Sequence, residues 1–149
     1  MKIENIIKTN AMTDHSKTVV NLMYTASVIG DRISDVLKPF DVTSPQFNVL
    51  RILRGQKGKP ANLSTIQERM IHKMSNTTRL VDKLIAKDYV NRCTCEQNRR
   101  KIEIYITNEG LKALAKMSEA VHKAEKEIIK DLSPKDLEEF NMLLEKLRN

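Results

Sequence analysis

Apolar residues recur along this chain in two rhythms, and the places where one gives way to the other divide it. Ile3, Ile6 and Ile7 fall at helical spacing and predict a short amphipathic arm. Over residues 14–38 the same period is sustained by Val19, Leu22, Met23, Ala26, Ile29, Ile33, Val36 and Leu37, a long helix with a wide apolar side. Pro39 breaks it. Ser44 as N-cap with Pro45 at the first helical position opens another helix, through Phe47, Leu50, Ile52 and Leu53. "RGQKGKPAN" is the clearest loop, and a short helix over 62–70 follows, striped by Leu63, Ile66 and Met70.

The next segment, "KMSNTTRLVDKLIAKDYV", carries an unusual division of labour. Thr77, Leu80, Val81 and Leu84 share one side at i, i+3, i+4 and i+7. Early on the other side stand Ser75, Asn76, Thr78 and Arg79, where a solvated helix would usually carry Glu and Lys. The period then drops to two. "YVNRCTC" and "KIEIYIT" read as strands, the second alternating Ile102, Ile104 and Ile106 with Glu103 and Tyr105, and "EQNRR" lies at the tip between them. Thr107 caps a helix over 108–131, with Leu111, Leu114, Met117, Val121, Ile128 and Ile129 on its apolar side. Ser133, Pro134 and Asp136 resemble a capping box for the last helix, through Leu137, Phe140, Leu143, Leu144 and Leu147.

Two short helices across a brief turn, the second with a polar outer face, have the spacing of a helix-turn-helix. A β-hairpin directly after them makes a winged helix-turn-helix. The fold class is therefore mainly α with a small β wing, plus a helical region. Composition agrees: aromatics are 4% of the chain, Trp is absent, and there are only four Gly and four Pro. Such a core must be built from Leu, Ile, Val and Met, which suits helices.

Charge sharpens the picture. The net charge is +7, and between residues 69 and 101 nine Lys/Arg face three Asp/Glu, so most of the excess sits in one stretch. A concentrated basic patch is the electrostatic footprint of an anionic partner, most often nucleic acid. On this reading Ser75, Asn76, Thr78, Arg79 and Lys83 enter a major groove of double-stranded DNA. Arg99, Arg100 and Lys101 lie along its backbone or in the adjacent minor groove. The competing class is a helical dimeric interaction protein whose basic surface binds an acidic protein or membrane lipids. That would concentrate basic residues on one amphipathic helix, whereas here they sit on a helix-turn-helix and a hairpin tip. No glycine-rich phosphate loop, metal motif or nucleophile with an adjacent base stands out, so the chain is not read as an enzyme and no cofactor is expected. No run approaches the eighteen apolar residues of a membrane span. "MKIENIIKTN" lacks a continuous apolar signal segment, so the expected location is the cytoplasm, without a membrane partner.

With these elements in place, the chain resembles the MarR family of bacterial transcription regulators over nearly its whole length. "SPQFNVLRIL" looks like the family's second helix, and "MSNTTRLVDKLIAKDYVNR" like its recognition helix and first wing strand. "NRRKIEIYITNEG" resembles the wing signature, Asp-x-Arg before a Leu-Thr-x-x-Gly helix start, written here as Asn98, Arg100, Ile106, Thr107 and Gly110. The resemblance implies one domain over residues 1–149, with 1–40 and 109–149 as dimerisation helices and 41–108 as the winged helix. It also implies a homodimeric repressor released from DNA by a small phenolic or lipophilic effector. Asn98 in place of the wing Asp exchanges an ion pair with Arg100 for a neutral hydrogen bond. Asp88 stands where a glycine is usual, in a turn that needs the left-handed conformation Asp tolerates.

Further residues admit a sharper and a plainer reading. An effector pocket touched by Tyr24, Phe47 and Arg51 would join the two long helices to the one after Thr107; more plainly, Tyr24 and Phe47 fill the core. Cys93 and Cys95, at i and i+2, share one face of the first wing strand, where Arg92 could lower a thiol pKa and oxidation could move the wing. More plainly, both are small strand residues, too few and too close for a disulfide framework. His15, His72 and His122 lack ligand spacing, so no metal is expected. Met23, Met70, Met74, Met117 and Met142 read as adaptable core.

Overall fold

The computed structural model describes residues 1–149. Its elements run α1 (Ile3–Ile7), α2 (Asp14–Leu37), a 3-10 turn (Lys38–Phe40), α3 (Ser44–Gly55), α4 (Leu63–Arg69), α5 (Thr77–Ile85), β1 (Val90–Cys95), β2 (Asn98–Ile106), α6 (Asn108–Ile128) and α7 (Pro134–Arg148). The chain is thus mostly helical, with one antiparallel pair of strands as the wing.

Helix starts are set by local hydrogen bonding, and two differ from expectation. The cap of α3 is Thr43, not Ser44: its hydroxyl accepts the Gln46 N–H while the Gln46 side chain accepts the Thr43 N–H. Ser44 has no Gln or Glu three residues on to reciprocate, so the box settles one residue earlier. Helix α5 begins only at Thr77, because Asn76 caps it by accepting the Arg79 N–H at 3.3 Å. Ser75 and Asn76 therefore precede the helix rather than lie on its outer face. The caps from Thr107 and Ser133 form as expected; Asn62, read as the first residue of its helix, instead caps α4, and α6 ends at Ile128, short of residue 131.

A single core joins α3, α4, α5 and the wing to α6. Leu50, Ile66, Leu84, Val90, Ile104 and Leu114 are fully buried in it. Each such side chain contributes roughly 1.5–3 kcal/mol by leaving water. Of its buried members, only Leu37, Leu114, Met117 and Val121 come from outside residues 41–108. A one-residue third strand completes the wing: Ala61, placed in a loop by its sequence, exchanges two backbone hydrogen bonds with Ile104. The turn before it is made by Lys57 and Gly58, both at positive φ.

The helical arms are different. Of α2 only Leu37 is buried, and α7 buries nothing. Met23 and Met142, expected in the core, are exposed on these helices, whereas Met70 and Met117 are buried. An apolar groove of about 580 Å³ runs between α2, the end of α6 and α7, lined by Val28, Ile29, Ile128, Leu132, Phe140 and Leu143 among others.

Candidate nucleic-acid interface

The turn before α5 is built to present the helix end. Asn48 on α3 accepts the Ile71 N–H through its side-chain oxygen at 2.9 Å, and the Gln67 amide donates to the Met74 carbonyl at 3.2 Å. Thr77, Val81 and Leu84 then anchor α5 on the core. Thr78 and Arg79 stand exposed on its outer side, with Ser75 and Asn76 exposed just before it. These four groups come together at the helix end where unpaired N–H groups and the dipole favour anions. Lys83 does not join them. It lies toward the other end, lining a cleft with Lys38, Lys87 and Asp41.

The wing is mounted on the same helix. Arg92 on β1 donates to Asp82 on α5 at 3.0 Å. The only signal for this clamp in the sequence is a pair of opposite charges ten residues apart, across a helix, a turn and a strand, and no periodicity joins them. The clamp also occupies the guanidinium expected to act on the cysteines. At the base, Asp88 takes φ 58°, the left-handed turn expected of it. Thr107 donates its N–H to the Tyr89 carbonyl at 3.0 Å and its hydroxyl to the Asp88 carbonyl at 2.6 Å. Gly110 packs against the same corner, where a Cβ would stand 2.2 Å from the Tyr89 oxygen. No other residue fits there without movement.

The tip departs from a plain hairpin. Thr94 pairs with Ile102, but the next pair is Cys95 with Asn98, so residues 99–101 loop out of β2 as a bulge. All three are basic and exposed. Asn98 turns its side-chain oxygen to the Arg100 backbone N–H at 3.1 Å, so the neutral bond expected for Asn98 shapes the bulge instead of holding the guanidinium. Lys101 faces the body, lining a cleft with Thr65 and Arg69 of α4, a basic neighbour that spacing along the chain does not connect with it.

Of the effector residues, Phe47 and Arg51 come together: the guanidinium carbon lies 5.8 Å from the ring centre. They line a cavity of about 350 Å³ with Arg54, Ser118 and His122. Tyr24 is not part of it and sits exposed on α2. Cys93 and Cys95 are free thiols, the first exposed and the second half-buried.

The model of the MarR family matches residues 42–102, from just after the 3-10 turn to the middle of β2. The uncharacterized HTH-type transcriptional regulator YfiV of Bacillus subtilis is 31% identical over 112 residues, covering 75% of this chain and 68% of YfiV. The chain belongs to the MarR family. It is thus a DNA-binding transcription regulator with the winged helix of that family. Solved MarR-family structures share the fold. A cysteine variant of E. coli MarR bound to operator DNA superposes with TM-score 0.76 at 20% identity, covering 85% of this chain and 89% of that one. BpsR of Bordetella bronchiseptica, whose DNA binding is regulated by 6-hydroxynicotinic acid, superposes with TM-score 0.79 at 17% identity over 89% and 99%. No helix is long and apolar enough to cross a membrane.

Proposed function

We propose that this MarR-family chain is a ligand-responsive repressor acting as a homodimer on a pseudo-palindromic operator. One observation carries the reading: α5, with its exposed polar end, and the wing, with its basic bulge, are tied to each other through the Arg92–Asp82 pair. Thr78 and Arg79, with Ser75 and Asn76 beside them, meet base edges and phosphates in the major groove, and Arg79 has the donor fork for guanine. Arg99 and Arg100 take the neighbouring backbone or minor groove. Residues 41–108 serve as the reading head, and 1–40 with 109–149 as the dimerisation arms. The bare faces of α2 and α7 support that division, because a helix with no buried residue has no reason to hold its place in a lone chain.

The effector site of this reading is the cavity between α3 and α6. Phe47 offers a ring face, Arg51 a carboxylate or phenolate partner, and Ser118 an enclosed hydroxyl oxygen with no hydrogen-bond partner. The regulation of BpsR by a small aromatic acid supports a ligand of that kind. Such a ligand acts only if it binds one spacing of the two recognition helices better than the other. Selection of bound sequences from random DNA tests the core claim. The expected product is an inverted repeat with half-sites about 10 bp apart; recovery of unrelated sequences would overturn it. Aromatic acids should release the selected DNA, and Arg51→Ala should blunt them.

A further inference from the structure

The outer face of the wing carries two thiols that DNA reading does not use. On β1 the even positions Val90, Arg92 and Thr94 pair with Ile106, Ile104 and Ile102, the body-facing row of β2. The odd positions Asn91, Cys93 and Cys95 therefore look outward, with Glu103 opposite Cys93 and Tyr105 opposite Asn91. On the facing strand the Tyr105 hydroxyl donates to Glu103 at 2.8 Å. That bond engages the carboxylate opposite Cys93.

Strand geometry decides what such a pair can hold. Residues i and i+2 of a strand stand roughly 6.7 Å apart with parallel side chains. A disulfide needs Cβ atoms within about 4.5 Å, so this strand keeps its thiols too far apart for one unless it buckles. A metal between them is another matter. With thiolate–metal bonds of roughly 2.3 Å, a linear S–metal–S unit spans about 4.6 Å, which ordinary side-chain rotation covers. No third His, Cys, Asp or Glu completes a cluster here, so a four-coordinate ion such as zinc is not served. We infer that Cys93 and Cys95 chelate a soft, two-coordinate monovalent cation, Cu(I) in chemical class.

Binding involves no change of oxidation state. Two thiols release two protons, two sulfur–copper bonds form, and the bis-thiolate unit carries one net negative charge. That charge arises beside the break in register that carries Arg99, Arg100 and Lys101. It offsets part of their attraction for phosphate, so a loaded wing holds DNA less tightly. This second step rests on the proposed role of the wing; the binding step does not.

Anaerobic titration of the full chain with Cu(I), in a large excess of glutathione, tests both. A chelate resists a monothiol competitor where two independent thiols do not. The expected result is one ion per chain by mass spectrometry, with a thiolate-to-copper absorption band. Cys93→Ser and Cys95→Ser should each lose both while keeping the wild-type circular dichroism and metal-free DNA affinity. Loss of copper to glutathione, or one ion retained by either variant, would overturn the site. The loaded wild type should show a salt dependence of DNA binding shallower by about 1 in slope. An unchanged slope with copper bound would overturn the coupling and leave DNA binding itself intact.

Discussion

The reading head and the helical arms solve the same problem, hiding apolar surface, in opposite ways. Between residues 41 and 108 nearly every large apolar side chain finds a neighbour from its own chain: Val49, Leu50, Ile66, Leu84, Val90 and Ile104 are sealed. Along α2 and α7 the periodicity is as regular, yet Val19, Met23, Phe140, Leu143 and Leu147 remain in the open. Hydrophobic periodicity thus says that a face will be covered and is silent on what covers it. In the head the answer lies in the same chain. For the arms, the proposed answer is a second copy.

The comparison can be broken most forcefully at the arms. Phe140→Asp with Leu143→Asp should leave the head folded and abolish the dimer, with a monomer in sedimentation velocity. Operator affinity should then fall by about a hundredfold or more, since the second half-site is no longer delivered at high local concentration. A variant that stays dimeric would return those faces to solvent as mere surface. In the head the opposite pattern is expected. Gly110→Ala, which drives a methyl group into the Tyr89 carbonyl, should cost about 3 kcal/mol in urea denaturation while the chain still dimerises. Arg99→Ala with Arg100→Ala should change neither stability nor assembly. It should weaken binding to all DNA alike and flatten the salt dependence by about 1 for each phosphate no longer neutralised.

The smallest effect concerns the start of α7. The Ser133 hydroxyl, and then its backbone N–H, hold the Asp136 carboxyl below its ordinary pKa. Folding therefore favours the ionised form. The contribution is present above the ordinary Asp range and is lost as pH falls through the lowered value. Asp136→Asn should flatten the acid end of the stability profile, read by helicity against pH, with neutral-pH DNA binding unchanged.

Much of this architecture is legible in the sequence because its causes are local. Thr107 before an apolar helical pattern, Ser133 three residues before Asp136, and Asp88 at a left-handed turn each act within one turn of chain. What escapes a linear reading is either a contest between near-equal neighbours or a meeting of groups across the fold. Thr43 and Ser44 are both capping residues, and only the reach of Gln46 separates them. The polarity of Asn76 suits an outer helix face, yet the same polarity makes it a cap. The Arg92–Asp82 clamp, the turning of Lys83 toward Lys38 and Lys87, and the exclusion of Tyr24 from the Phe47 cavity depend on how elements pack. No periodicity records that. Charge and spacing point to the residues proposed to face DNA, but the looping out of residues 99–101 needs the register itself.

The corner at Gly110 has a mechanical consequence. The end of α5, the first residue of the wing and the beginning of α6 are fastened at one point by Thr107, Asp88 and Tyr89. A hairpin held at its root and free at its end is a lever with its fulcrum at that corner. Any tilt that reaches α6 from the arms arrives at the fulcrum first, and displacement grows with distance from it. The three basic residues at the far end, proposed to lie along DNA, therefore travel the furthest under a small rotation.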